Sequence, residues 1–199
     1  RHWQAPSALI TGLSLSAVTG PHKHDLTLIR RDWPHEFQSP FQDYLGQALP
    51  MALAVVSGAS RGLGFENAKS LAALGYDIVM IAQDPSRLMQ AKERLQQDHP
   101  QQQFTPYEVD LENMQATRNT VELISQQHVA PEILILAHGV MSDKMSKTLK
   151  TNDVEWRRVM AINLDSVFTL VNGLAPAMVE ARSGRIIIYS ACLGRMSGP

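Results

Sequence analysis

Short apolar runs alternate with amphipathic stretches from Met51 to the end of the chain. Such runs are typical of strands buried on both faces of a parallel sheet, and the amphipathic stretches are typical of the helices that cover it. The pattern predicts strands over 52–56, 77–82, 104–109, 132–137 and 185–190, with helices over 62–74, 85–97, 112–128 and 151–171. Five strand-helix alternations predict a doubly wound α/β sheet in three layers, with its ligand crevice at the carboxyl ends of the strands.

Local signals mark where several of these elements begin and end. Gly75 follows the first helix at the C′ position, where glycine accepts the left-handed backbone that ends many helices. Asp84 is placed to cap the second helix, and Pro85 occupies the first helical position, where its missing N–H costs nothing. Thr151 or Asn152 is expected to cap the helix that begins near residue 151.

Residues 1–50 differ from the rest of the chain. Their scattered His, Pro and Trp show no sustained period of 2 or 3.6, so we treat 1–50 as a tail, a linker or the end of another unit, and 51–199 as the domain. His22, His24 and Asp25 could be offered as metal ligands, but without cysteines and without a pattern they favour a solvated loop. No metal is expected.

Composition and charge exclude several classes of protein. A chain of 199 residues, 44% of them hydrophobic, can bury one ordinary core. The 18 basic and 19 acidic residues leave a formal charge of −1, which gives no reason to expect a nucleic acid partner. The sequence contains no run of 18 or more apolar residues, so it predicts no membrane-spanning helix. A single cysteine, Cys192, fits a reducing compartment, and we expect a cytoplasmic protein.

The segment "SGASRGLG", residues 57–64, lies between the first strand and the first helix. A glycine-rich turn at this point directs free backbone N–H groups and the positive helix end toward a phosphate. Gly58 is expected to allow the tight turn, Gly62 the close approach of the ligand, and Gly64 the packing of the helix on the strand. A glycine-rich loop without a ligand is the alternative, and the absence of Gly-Lys-Ser/Thr excludes a nucleoside-triphosphate loop.

This segment resembles the TGxxxGxG motif of the short-chain dehydrogenase/reductase family, with Ser57 in place of the usual Thr. Three further segments are similar to that family in the same order: "VDLEN" after the third strand, "MAINLDSVF" around Asn163, and "APAMVEARSGRIIIYSACLG" leading to the catalytic serine. The resemblance covers residues 51–199. It implies a Rossmann-type fold, truncated on its C-terminal side, that binds a nicotinamide dinucleotide.

The resemblance also implies functional residues. Asn163 would hold a water of the proton relay, although a polar residue on a helix bend is the alternative, and Ser190 would act as a displaced hydroxyl donor to the substrate. The implied cofactor contacts are Gly58, Ser60, Arg61, Gly62, Leu63, Gly64, Gln83, Asp110, Leu111, Ala137 and Gly139.

The chain departs from the family pattern in three places. "LAHG" at 136–139 stands where the family has NNAG, so His138 is a residue that the family pattern does not contain. His138 is either a functional group near the cofactor or a structural histidine whose ring nitrogens are hydrogen-bonded within the fold. Ala191, not Ser190, aligns with the catalytic serine. The family's Tyr-x-x-x-Lys pair is absent, because the residues four places after the tyrosines are not lysines: Ala48 after Tyr44, Met80 after Tyr76, Leu111 after Tyr107, Leu193 after Tyr189. By family spacing, the pair would fall just beyond Pro199.

The end of the second strand bears on the choice of cofactor. NAD-specific relatives present an acid there to the ribose diol, and NADP-specific ones present positive charge to the 2′-phosphate. Ala82 occupies the acid position, and Arg61 lies where NADP-preferring members often carry a base. NADP(H) is therefore the expected cofactor, with NAD(H) left open.

Two functions remain open from the sequence. The first is an NADP(H)-dependent oxidoreductase that reduces a ketone or oxidises a secondary alcohol, with a small-molecule carbonyl or alcohol substrate and a homo-oligomer possible. The second is a nucleotide-binding regulatory or scaffolding protein that has lost catalysis, motivated by Ala191 and "LAHG".

Overall fold

The computed structural model describes residues 52–142 and 151–190. These residues form five strands, β1 to β5, in a single sheet. The strands are β1 Leu53–Ser57, β2 Asp77–Ala82, β3 Phe104–Glu108, β4 Ile133–Leu136 and β5 Arg185–Ile188. The helices are α1 Gly62–Ala73, α2 Pro85–Asp98, α3 Met114–Gln127, α4 Asp153–Met160 and α5 Ser166–Glu180, with a π-helical turn, Ala161–Asp165, between the last two.

All the neighbouring strands pair in parallel, in the spatial order β3-β2-β1-β4-β5. The chain moves outward from β1 through β2 to β3 and then returns to place β4 on the other side of β1. The strand order therefore reverses between β1 and β4, and the crevice above such a switch point is where doubly wound sheets bind ligands. This is a Rossmann-type αβα fold, as the sequence predicted.

The central strand is apolar on both faces because each face packs against its own layer of helices. Ala54 and Val56 of β1 belong to a core cluster with α1 and α2, whereas Leu53 and Val55 belong to a second cluster with α3 and α5. Side chains alternate between the two faces of a strand, so a continuous apolar run supplies both cores at once.

Three of the local predictions are confirmed. The Asp84 carboxylate accepts a hydrogen bond from the Arg87 N–H at 3.0 Å, which caps α2. The Asn152 side chain caps α4 by accepting from the Glu155 N–H at 2.9 Å, which decides between Thr151 and Asn152. Gly75 has a φ of +93° beyond the end of α1, as a C′ glycine should.

Other boundaries differ from the prediction. The helix predicted over 151–171 extends from Asp153 to Glu180 and is interrupted by the π turn. By length and composition this long helix could cross a membrane, although the sequence contains no strictly apolar run of that length. Its Leu170, Leu174 and Met178 side chains are buried against the sheet, and 22% of its most apolar stretch is buried in all.

Strand β5 forms one edge of the sheet within residues 52–142 and 151–190. It ends at Ile188, two residues before the predicted end, and its isoleucines are partly exposed. The predicted boundary at residue 50, and the role of the segment before it, lie outside the described residues.

Candidate functional site

The turn between β1 and α1 has the shape that three glycines allow. Gly58 has a φ of +71°, and a Cβ there would lie 2.9 Å from the backbone of Ala137 and His138. Gly62 has a φ of +57° and faces open space, with nothing within 4 Å of the point that a Cβ would occupy. A Cβ on Gly64 would lie 2.6 Å from the Gly58 carbonyl carbon. Gly64 therefore packs against the turn directly after strand β1, whereas the sequence predicted packing on the strand itself.

The amino terminus of α1 is open toward this turn. Its N-cap residue, Arg61, provides no side-chain hydrogen bond, and the first turn contains no acidic residue. In contrast, α2, α3 and α4 are each capped by a side chain: Asp84, Asn113 and Asn152. The N–H groups at the start of α1 therefore have no side-chain acceptor, which together with the positive end of the helix dipole is the arrangement that binds a phosphate.

The remaining predicted cofactor residues follow the carboxyl ends of neighbouring strands. Gln83 follows β2 and is exposed, while Asp84 beside it is occupied by the cap and by an ion pair with Arg87 at 3.3 Å. Asp110 follows β3, where its carboxylate accepts from the Glu112 N–H at 3.0 Å. Leu111 is buried beneath it, and Ala137 and Gly139 follow β4. Parallel strands bring all of these residues to one edge of the sheet.

Asn163 lies in the π turn, and its side chain bonds to the backbone of one residue. The Oδ1 atom accepts from the Val140 N–H, and Nδ2 donates to the Val140 carbonyl, both at 2.8 Å. This pairing holds the segment after β4 against the helix. Because Val140 uses one acceptor and one donor of the amide, the amide keeps one further lone-pair site and one N–H. Sequence reasoning gave a helix bend only as the alternative to the relay role of Asn163, and it missed the Val140 partner.

His138 is mostly buried between the ends of β1 and β4 and the π turn. Its Nδ1 lies 2.5 Å from the Ser57 hydroxyl oxygen, and its Nε2 lies 2.7 Å from the Ser166 hydroxyl oxygen. Burial lowers the pKa of His138 to about 4, with a backbone hydrogen bond at Ile162 opposing the shift. A neutral ring with both nitrogens hydrogen-bonded is a poor proton donor at neutral pH, so the geometry favours the structural alternative for His138.

The two described tyrosines with shifted pKa values both have raised values, which makes them weaker proton donors at neutral pH. Burial, reinforced by Glu132, raises the pKa of Tyr76, which precedes β2 at the opposite edge of the sheet. Burial also raises the pKa of Tyr107, whose hydroxyl donates to Gln127 Oε1 at 2.8 Å. Tyr189 accepts a hydrogen bond from Asn67 of α1 at 2.9 Å.

Ser190 follows β5 and is exposed at the same edge of the sheet. The neighbouring Ala191, the aligned catalytic-serine position, lies outside the described residues, as do His22, His24 and Asp25. Within 52–142 and 151–190, no group of three His, Cys, Asp or Glu side chains is arranged to hold a metal ion.

Comparison with known proteins places this site in a family. The family model described as short chain dehydrogenase matches residues 52–199, about three quarters of the chain. The chain belongs to the short-chain dehydrogenase family.

Individual relatives are distant. An uncharacterized oxidoreductase of Staphylococcus saprophyticus is 30% identical over 143 residues, which are 71% of this chain and 59% of that protein. Galactitol 2-dehydrogenase (L-tagatose-forming) of Cereibacter sphaeroides is 31% identical over 147 residues, 74% of this chain and 54% of that protein. The chain thus spans little more than half the length of these curated relatives.

Among solved structures, a metagenomic short-chain oxidoreductase crystallised in complex with NADP superposes with a TM-score of 0.69 at 27% identity. The superposition covers 77% of this chain and 67% of that one. The similarity supports the Rossmann-type fold.

Proposed function

We propose that this protein is an NADP(H)-binding oxidoreductase, and that residues 52–190 form its cofactor-binding part. The observation that carries the proposal is the uncapped start of α1 above the glycine turn, at the point where the strand order reverses. A Cβ on Gly58 or Gly64 would clash with neighbouring backbone and displace this turn, whereas the space beside Gly62 is open to a ligand. The crystallisation of the similar metagenomic oxidoreductase in complex with NADP supports the choice of cofactor.

When bound, NADP(H) donates or accepts the hydride that reduces a ketone or oxidises a secondary alcohol. The backbone N–H groups of the glycine turn would hold the pyrophosphate, and Asp110 and Leu111 would flank the adenine. Ala137 and Gly139 would line the cofactor beside β4. Asn163, whose amide keeps one donor and one acceptor beyond its Val140 bonds, would hold a water near the substrate oxygen.

The preference for NADP(H) rests on a basic residue at the start of α1 and on the lack of an acid at the end of β2. Arg61 is exposed at the N-cap of α1, and Ala82 offers no acid to a ribose diol. Asp84, the nearest acid in sequence, is already bonded to Arg87. A 2′-phosphate would therefore meet an available guanidinium rather than an available carboxylate.

Titration calorimetry with NADPH and NADH tests this preference. One charge-assisted hydrogen bond corresponds to about ten-fold in Kd, so we expect NADPH to bind about ten-fold more tightly than NADH. The Arg61→Ala variant should lose that difference. Arg118→Ala, which removes an exposed charge from α3, should keep it. Equal affinities in the unmodified chain, or a preference for NADPH that survives Arg61→Ala, would contradict the assignment.

The second candidate function is a catalytically inactive nucleotide-binding protein. It is motivated by Ala191 at the aligned catalytic-serine position and by "LAHG" in place of NNAG. Without a positioned acid, reduction would leave an alkoxide, and such acids contribute about 10²- to 10⁴-fold to the rate. We therefore expect the 199-residue chain to bind NADPH but to consume it slowly across a panel of ketones.

The control for that measurement is a version of the chain extended through a Tyr-x-x-x-Lys segment. A large gain in the extended version would favour the oxidoreductase, and no gain would favour the inactive protein. Equal and rapid rates in both versions would mean that another residue supplies the proton. We propose that the protein is cytoplasmic, because the single cysteine of the chain and a reduced nicotinamide cofactor both fit a reducing compartment.

A further inference from the structure

A chain of hydrogen bonds links three elements through the side chain of His138. At one end the Ser57 hydroxyl belongs to the last residue of β1, directly before the glycine turn. At the other end the Ser166 hydroxyl belongs to the first residue of α5, directly after the π turn. Both serines are completely buried, so water does not compete for these bonds.

The direction of each hydrogen bond follows from the donors available. The Ser166 hydroxyl donates to the Ile162 carbonyl at 2.7 Å, so its oxygen accepts from the imidazole, and Nε2 carries the proton. In a neutral ring Nδ1 then has only a lone pair, and the Ser57 hydroxyl donates to it at 2.5 Å rather than to its other acceptor, the Ile135 carbonyl, which lies 3.5 Å away. The side-chain hydrogen bonds therefore run in one direction, from Ser57 through His138 and Ser166 to Ile162. The low pKa of His138 agrees with this neutral form.

The Ile162 carbonyl is part of the π turn that carries Asn163. In this turn the Ser166 N–H bonds to the Ala161 carbonyl, five residues earlier rather than four. The wider turn changes which residues face the sheet, and Asn163 reaches Val140 from it. His138 therefore contacts, through Ser166, the helical turn that positions Asn163.

The segment 137–140 is held by hydrogen bonds to two neighbouring elements and by packing against a third. Its Val140 backbone bonds to Asn163, and its His138 side chain bonds to both serines. On the third side its backbone lies against Gly58, where a Cβ would come within 2.9 Å. A shift of this segment would change the glycine turn and the Asn163 side chain together, since it contacts both.

We propose that His138 is a positioning residue whose hydrogen-bond bridge sets the glycine turn and the Asn163 turn at one fixed separation for the bound cofactor. The proposal rests on the proposed function for its binding readout only. His138 exchanges no proton with the substrate in this role. It occupies a family position that the usual NNAG sequence fills differently.

Two variants separate the hydrogen bonds from the volume of the ring. His138→Phe keeps a planar ring but removes both bonds, whereas His138→Gln keeps one donor and one acceptor on a planar group. His128→Phe is the matched control, because His128 is a half-buried histidine at the far end of α3, where it contacts Tyr107. Each variant of the full chain is titrated with NADPH at a temperature where circular dichroism shows it folded.

The amount of destabilisation alone does not distinguish positioning from packing, so the affinity of the folded protein is the deciding readout. We expect His138→Phe to weaken NADPH binding about ten-fold, the effect of one lost hydrogen bond, with His138→Gln closer to the unmodified chain and His128→Phe unchanged. Ser166→Ala should weaken binding similarly, and the double variant with His138→Phe should add little, because both changes break the same bridge.

A folded His138→Phe variant that binds NADPH as tightly as the unmodified chain would overturn the proposal, as would additive effects in the double variant. If His138→Phe does not fold, Ser166→Ala decides in the same way, with His138→Gln as the variant expected to retain binding. If the unmodified chain binds no NADPH, the proposed function fails and amide exchange decides the bridge. Faster exchange at Val140 and Ser166 in His138→Phe, but not in His128→Phe, would then support it, and unchanged exchange would overturn it.

Discussion

Replacing Gly64 by alanine should destabilise the protein although the residue lies in a helix. Alanine has the higher helix propensity, so the local rule predicts a gain of up to about 1 kcal/mol. In the structure, however, the added Cβ would lie 2.6 Å from the Gly58 carbonyl carbon. Restoring an ordinary contact of 3.4 Å to that carbon requires a shift of roughly 0.8 Å in the backbone of the glycine turn, which is anchored on both sides. The Gly58 carbonyl oxygen lies closer still to the added Cβ and requires a larger shift.

That anchoring determines the size of the effect. The Gly58 N–H bonds to the Ile81 carbonyl at 2.8 Å, and its Cα faces the Ala137 backbone, so the turn cannot retreat freely. Overpacking against backbone of this kind costs about 1–3 kcal/mol, and we expect a net loss of about 2 kcal/mol in the free energy of unfolding for Gly64→Ala. Urea denaturation followed by circular dichroism, with the m-values compared, measures it.

Gly62→Ala is the matched control for Gly64→Ala, because it lies in the same turn but in open space. Only its φ of +57° penalises a side chain, which corresponds to about 1 kcal/mol. If Gly64→Ala were as stable as the unmodified chain, or more stable, the close packing of α1 on the glycine turn would be refuted. The same would hold if Gly62→Ala cost clearly more than Gly64→Ala.

Two further predictions concern pH and the first 50 residues. Burial lowers the pKa of His138 to about 4 in the folded chain, whereas a histidine in the unfolded chain titrates near pH 6.5. Between these two pH values the unfolded chain binds one more proton than the folded chain, so the free energy of unfolding should fall by up to about 3 kcal/mol as the pH decreases from 6.5 to 4. His138→Gln should flatten that part of the stability profile, and an unchanged profile would contradict the assigned pKa. Deleting residues 1–50 should leave cooperative unfolding and NADPH binding intact; a deletion variant that cannot fold would show that they belong to the domain.

The elements of the fold were predictable because their signals are local. A carboxylate at position 84 followed by Pro85 specifies the start of α2 whatever the rest of the chain does, and Gly75 specifies the end of α1. The apolar runs specify strands buried on both faces, which in turn require helices on both sides. Element order then fixes which loops meet at one edge of the sheet.

The end of the long helix was not predictable in the same way. The pattern predicted an end near residue 171, and the weak helix formers Gly173 and Pro176 follow it. In the structure the helix continues to Glu180, because Leu174 and Met178 are buried against the sheet and Gly173 lies tightly against Val121 of α3. Tertiary packing outweighs local propensity here.

The π turn shows why the candidate site could be predicted only in part from the sequence. Nothing in "MAINLDSVF" distinguishes a π turn from a regular α-helix, since the extra residue is accommodated by contacts made elsewhere. Asn163 bonds to Val140, which lies 23 positions earlier, and Ser166 bonds to His138, 28 positions earlier. Resemblance identified Asn163 and marked His138 as a departure from the family, but neither partner follows from sequence spacing. Because both contacts reach the same four-residue segment after β4, the departure at His138 and the placement of Asn163 are one structural feature, and a substitution at either should be felt at the other.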